Sequence, residues 1–314
     1  MIEKLTTVQK QRVKRLEPAL STAASKGDLE LAKRIILDLQ NIYLSTGNES
    51  KLMQAKVRLF EAYMEAGNFK YAEDGLIGIR QRANKTTRTF LEATALLAIC
   101  YLRMKDLMKA KPLIKDVLVN DKVIKSVDKR KHFRAAIIER FDEEGLLFTL
   151  MVDNASEGLN AEEIEKEAGL LIRTNLSEEE LFENIGSIVP NNAKDILLSI
   201  DEFAKKQLPS AERLALPSST QMIENKKVGK TMFSSVKRVI YKSICDKDNE
   251  IYKSWYSNGL TGFTSLVSVV VSEALKNISI GAKAIIAAVV ALIIKFGLAV
   301  YCEHYKPVDI MELR

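Results

Sequence analysis

Cysteine and histidine are scarce, with three Cys and two His spread over 314 residues. That supply does not build a disulfide framework or a four-ligand structural zinc site, and it makes a reducing compartment the simpler expectation. Only 6 Pro and 14 Gly are present, which excludes a collagenous or linker-like chain. The first ten residues already carry Glu3, Lys4 and Lys10, so no secretory signal is expected there and the default location is cytoplasmic, with the inner face of a membrane as the alternative. What remains is a composition 47% hydrophobic and 28% charged, inside the globular range. Leu, Ile, Ala, Lys and Glu dominate, which points to an all-α protein, and the length suits two domains or a repeat array with something attached. The net charge of +6 hides an asymmetry: residues 141–206 hold 16 acidic against 5 basic side chains, a local −11, which leaves +17 for the rest.

Three segments align around a helix-to-helix turn: Lys26-Gly27-Asp28-Leu29-Glu30-Leu31-Ala32, Ala66-Gly67-Asn68-Phe69-Lys70-Tyr71-Ala72 and Met104-Lys105-Asp106-Leu107-Met108-Lys109-Ala110. Each puts Gly, or Lys105 in its stead, where one helix ends. Asp or Asn follows as the next N-cap, and a later Ala sits where two helices must approach closely. Upstream, Leu59 and Tyr63 correspond to Leu97 and Tyr101; downstream, Leu76 and Ile79 correspond to Ile114 and Val117. These are one-face helical spacings.

Over roughly residues 8–120 the chain thus resembles tetratricopeptide repeats, although its period of 40 and then 38 residues exceeds the family's usual 34 and the first copy has Ala23 in place of Tyr. The resemblance implies a solenoid of helical hairpins with a groove that takes a peptide or partner helix, and by helix face Tyr63, Asn68, Tyr101 and Arg103 are its candidate positions. A plain helical bundle is the alternative.

A fourth helix pair is expected around Glu143-Glu144-Gly145, closing a repeat region of residues 1–156. Lys129, Arg130, Lys131 and Arg134 before it form a basic cluster. In an acidic helical extension, residues 157–208, helices start at Asn160 and at the capping box Ser177-Glu178-Glu179-Glu180. Two prolines among small polar residues make 209–221 the expected linker to a final domain, 222–314.

That domain opens with Gly229-Lys230-Thr231, the end of a phosphate-loop motif, but Glu224 stands where the motif needs its first Gly. Lys226, Lys227, Lys230, Lys237, Arg238 and Lys242 are interleaved or adjacent with aromatics that include Tyr252, Trp255 and Tyr256. A basic-aromatic mixture suits nucleic acid, yet Phe233, Val236, Ile240 and Ile244 form the buried stripe of an amphipathic helix. The lysines would then face an acidic partner, an anionic membrane, or this chain's own acidic segment.

Two hydrophobic segments follow, Leu260 to Ser272 without charge and Ile278 to Tyr301 interrupted only by Lys283 and Lys295. Phe263, Val267, Val271, Ile285, Val289 and Leu292 are candidate contacts for a membrane or a second copy of the chain; a soluble buried hairpin and an inserted one both fit the pattern. No catalytic, metal or cofactor constellation is found. His132 and His304 lack metal-spaced partners, Cys302 with His304 would form a thiolate pair only in a loop, and Cys100 reads as a core residue. The functional expectation is non-enzymatic protein binding by the repeats, with the final domain mediating assembly. A membrane-acting effector and a nucleic-acid-binding accessory protein are the alternatives.

Overall fold

The computed structural model describes residues 4–151, 160–245, 253, 263–275, 283–305 and 310. Among these the chain is all-α, with sixteen α-helices and no β-strand. It forms two compact units, residues 1–134 and 135–313.

The first unit contains α1 (Thr7–Lys26), α2 (Leu29–Ser45), α3 (Glu49–Glu65), α4 (Phe69–Arg82), α5 (Arg88–Arg103) and α6 (Leu107–Val119). Gly27, Gly67 and Lys105 all take the left-handed conformation that reverses the chain between paired helices, at φ of 67°, 78° and 60°. The next residue's N–H then reaches back to a carbonyl in the finished helix: Asp28 to Ala23, Asn68 to Tyr63 and Asp106 to Tyr101, at 2.8 to 3.0 Å. This bond satisfies a terminal carbonyl that would otherwise lack a partner. A fourth copy, Gly47 with Asn48 bonded to Tyr43, joins α2 to α3. The aligned Ala32, Ala72 and Ala110 are fully buried, as close helix approach requires. Each helix packs on its neighbours in sequence, and α1, α3 and α5 also pack successively on one another. That arrangement fits a helical repeat solenoid.

Helix α7 (Val127–Leu150) is continuous through Glu143-Glu144-Gly145, where a turn was expected. A Cβ on Gly145 would overlap the tip of the Ile200 side chain, so this glycine serves packing and not chain reversal. The second unit continues with α8 (Ala161–Arg173), α9 (Glu178–Ile188), α10 (Asn191–Lys206), the short α11 (Ser210–Leu214) and α12 (Ser219–Met222), and α13 (Asn225–Cys245). It ends with α14 (Phe263–Ala274), α15 (Lys283–Phe296) and α16 (Leu298–His304). The caps read from sequence are present: Asn160 accepts from the N–H groups of Glu162 and Glu163, and Ser177 forms a reciprocal box with Glu180. Residues 209–221, expected as a linker, lie inside this unit and supply α11 and part of α12.

Helices α9 and α13 make the unit's most extensive pairing, and they meet backbone to backbone. A Cβ on Gly229 would lie 1.8 Å from the Phe182 carbonyl oxygen, and one on Gly186 would lie 1.8 Å from the Asn225 carbonyl oxygen. The glycine of the failed phosphate motif therefore exists to let two helices touch. Beyond the crossing, Phe233, Val236, Ile240 and Ile244 form a buried stripe, as the spacing predicts.

Helix α15 is apolar on every side, and all nine residues from Ile285 to Ile293 are 0% exposed. Such a helix needs cover all round, and α8, α9, α14 and α16 provide it. Each large aliphatic side chain buried there contributes about 2 kcal/mol. The apolar run from 278 to 301 is not one helix, because Gly297 (φ 77°) ends α15 after 14 residues. At 1.5 Å per residue that is about 21 Å, short of the roughly 30 Å of a bilayer's hydrocarbon core. Among the described residues no helix is long and apolar enough to cross a membrane.

Contrary to the reading from cysteine scarcity, two of the three cysteines are joined. Cys245, at the end of α13, is disulfide-bonded to Cys302 in α16, with Cα atoms 5.4 Å apart. A pair 57 residues apart in sequence is invisible to a spacing argument. This bond removes the basis for preferring a reducing compartment and uses the sulfur of the Cys302–His304 pair. Cys100 is buried as expected, and burial pushes its thiol up to about 11.

Two stability changes follow. Gly229→Ala forces the α9–α13 backbones apart and should cost about 3 kcal/mol, seen as a lower urea midpoint; an unchanged midpoint would refute the crossing. Reduction of Cys245–Cys302 opens a loop whose closure contributes about 4 kcal/mol, so dithiothreitol should lower the unfolding temperature by roughly 10 °C. No shift would mean that the bridge constrains nothing.

Candidate functional site

The four groove positions of the first unit fall in two settings. Tyr101 is buried, and its hydroxyl donates to Glu73 at 2.7 Å. Arg103 is mostly buried and pairs with Glu65 at 3.0 Å. Asn68 is exposed at the cap of α4 and makes no side-chain cap bond. Tyr63 is half-buried and stacks on Tyr71 at 5.6 Å, while the Lys33 ammonium lies 5.7 Å from its ring centroid. Tyr63 and Tyr101 are repeat equivalents, and the residues that cover them, Tyr71 and Lys109, are equivalent too; the Lys109 ammonium lies 5.1 Å from the Tyr101 ring. An equivalent contact thus crosses the turn in both copies, tyrosine on tyrosine in one and lysine over tyrosine in the other. It leaves Tyr71 66% exposed, and Leu37, one helical turn beyond Lys33 on α2, is 61% exposed.

Part of the predicted basic surface is engaged within its own unit. Arg134 forms a two-point ion pair with fully buried Asp121 (2.5 and 3.1 Å), and Arg130 donates to the carbonyls of Ile124 and Lys125, whereas Lys129 and Lys131 remain exposed. On α13, Lys226 pairs with Glu179 at 2.7 Å, and Arg238 donates twice to Oε2 of Glu143 at 2.9 and 3.2 Å. The Lys237 ammonium lies 5.8 Å from the Tyr305 ring centroid, and burial lowers its pKa. The side chains of Lys242 and Phe263, and all of Tyr252, Trp255 and Tyr256, lie outside the described residues. Val267, Val271, Ile285, Val289 and Leu292 are buried in the core of the second unit.

The second unit also contains a cavity of about 120 Å³, enough for several water molecules. Glu139, Asp142 and Glu143 of α7 line one side, Lys227, Lys230, Thr231 and Ser234 of α13 another, and Asp201 and Lys205 of α10 a third. The i, i+3, i+4 spacing on α7 and the i, i+3, i+4, i+7 spacing on α13 present each set on one helix face. Leu216 and Pro217 add to the lining, and the Lys205 ammonium donates to the Pro217 carbonyl at 2.6 Å.

Asp142 is 2% exposed, and its Oδ1 has no hydrogen-bond partner among the described residues. Burial raises its carboxyl well above the usual range, and the negative charge of Asp201 raises it further, against the opposing pull of Lys205 and Lys227. Burial also raises Asp201, although Lys205 at 2.7 Å favours its ionised form. Glu143 is pushed up to about 7 by burial, against Arg140 and Lys237. Of the cavity's polar residues only Lys227 and Lys230 were candidate site residues by sequence; Thr231 and Glu143 were read only as parts of the failed phosphate motif and of an expected turn. Asp142 and Asp201 looked like two members of a long acidic run, and nothing in their spacing reveals that they converge.

Comparison with protein-family models, with curated proteins and with solved structures finds no match for the chain.

The pH dependence of Asp142 has a definite sign. A carboxyl raised in the folded chain above its unfolded value, about 3.9, contributes stability below that value and loses it as pH climbs through the folded value. Asp142→Asn should therefore differ little from the parent near pH 4 and be the more stable protein at pH 8, measured by urea unfolding across that range. Parallel pH profiles would show that Asp142 is not the strained group.

Proposed function

We propose that the protein is a non-enzymatic partner-binding scaffold whose first unit acts as a tetratricopeptide-like hairpin array. The observation that carries this reading is the stack of exposed Tyr71 on Tyr63, with Lys33 over the Tyr63 ring and exposed Leu37 one helical turn along α2 from Lys33. Tyrosine offers a rigid apolar body with a polar tip, and such residues anchor protein interfaces. The occupant that suits the patch is an amphipathic protein segment with an apolar side chain for Tyr71 and Leu37, since the Lys33 ammonium already pairs with Glu30 at 2.9 Å. Engagement of Lys226 and Arg238 with carboxylates of the second unit favours this reading over phosphate binding by α13, because a nucleic acid would have to displace those partners.

The test is the double variant Leu37→Ala with Tyr71→Ala, compared with the parent chain in quantitative pull-downs from extracts of the producing cells. A partner that copurifies with the parent should be recovered at least tenfold less with the variant, at equal thermal stability of the two baits. Equal recovery would remove the patch from the interface.

A further inference from the structure

We propose that the cavity between α7, α10 and α13 is a binding site for a small zwitterion, specifically a free amino acid, held by its ammonium group at Asp142 and by its carboxylate at Lys227. The two sides of the cavity differ in polarity. The α7 side is acidic, with Glu139, Asp142 and Glu143, and the α13 side is basic and hydroxylic, with Lys227, Lys230 and Thr231. Lys205 is already committed to Asp201 and to the Pro217 carbonyl. Neither Lys227 nor Lys230 has an ion-pair partner among the described residues, although Lys230 lies 5.6 Å from the Phe182 ring centroid. The cavity therefore presents an uncommitted donor group on one side and an uncommitted acceptor on the other.

Asp142 points to a ligand independently of that polarity. A carboxylate oxygen that is buried without a hydrogen bond loses its hydration and gains nothing in exchange. Oδ1 of Asp142 is in that position while its side chain lines open volume. An ammonium group has three donors and a full positive charge, which meets the need. A divalent metal is a poorer fit, because among the described residues no three His, Cys, Asp or Glu side chains converge as metal ligands. A simple anion would face three carboxyl groups on α7. A molecule with charges of both signs satisfies the two sides together, and about 120 Å³ suits the six heavy atoms of alanine better than a nucleotide or a peptide.

The experiment uses the full chain, with its unfolding temperature followed in 10 mM glycine, L-alanine or L-serine. Methylammonium, acetate and N-acetylglycine serve as probes that carry one charge each. At least one amino acid should raise the midpoint while the single-charge probes do not, and calorimetric affinity for it should fall at least tenfold in both Asp142→Asn and Lys227→Met. The Asn variant retains the shape of Asp142 and is expected to be stable at neutral pH, so loss of binding there is not loss of folding; Lys227→Met checks the opposite side. If methylammonium matches the amino acids, the site takes a cation only; if acetate matches them, an anion only. Either result overturns the proposal, as does the absence of any shift with all three amino acids.

Discussion

The direct contact of α9 with α13 at Gly186 and Gly229 is the constraint on which the second unit depends. Helices normally stand 8–10 Å apart, held off by their side chains; removing Cβ at both positions lets the two backbones meet. With α13 so placed, its apolar stripe reaches the core, and Phe233 sits edge-on to Phe182, Phe296, Tyr301 and Tyr305. Its polar side, one face of lysines and hydroxyls, forms part of the cavity. Its last residue carries the disulfide to α16, where the Tyr241 hydroxyl also donates to the Cys302 carbonyl at 2.7 Å. Helix α9 meanwhile provides part of the cover that a helix as apolar as α15 requires.

Much of the charge asymmetry along the chain is resolved inside this unit. The acidic residues 141–206 and the basic face of α13 meet through Lys226–Glu179 and Arg238–Glu143. The lysines that bracket α15 are engaged as well, Lys283 with Glu163 and Lys295 with the Leu176 carbonyl. The exposed pairs among these contribute little individually, but together they set which polar faces meet. Asp142 is the exception, a buried acid whose environment supplies too little positive charge.

Features carried by local chemistry were legible in the sequence. The turns Gly27-Asp28, Gly67-Asn68 and Lys105-Asp106 announce themselves because only a few residues suit a left-handed C-cap followed by an N-cap, and Lys105 was identified by alignment despite the cost of its conformation. The turn at Gly47-Asn48 has the same chemistry and was overlooked because it joins pairs and does not divide one. The caps at Asn160 and Ser177 and the stripe on α13 are equally local. Gly145 shows the limit: glycine ends a helix or admits a neighbour, and only the position of Ile200 distinguishes the two. The disulfide and the cavity depend on residues that α10, α13 and α16 bring together from distant parts of the chain, and no spacing rule connects them. The apolar run at the C-terminal end fitted a buried hairpin, the favoured reading, and an inserted one; the break at Gly297 and the complete cover of Ile285 to Ile293 show a short helix buried within its own unit.

Hydrogen exchange of the full chain in plain buffer, read by mass spectrometry, tests most directly the claim that the second unit is a bundle organised around α15 by the α9–α13 crossing. The account predicts that the amides of Ile285–Ile293 are among the slowest in the protein and exchange together with those of α9 and α13, through opening of the whole unit. Exchange of that segment within minutes, with protection appearing only when phospholipid vesicles are added, would contradict it.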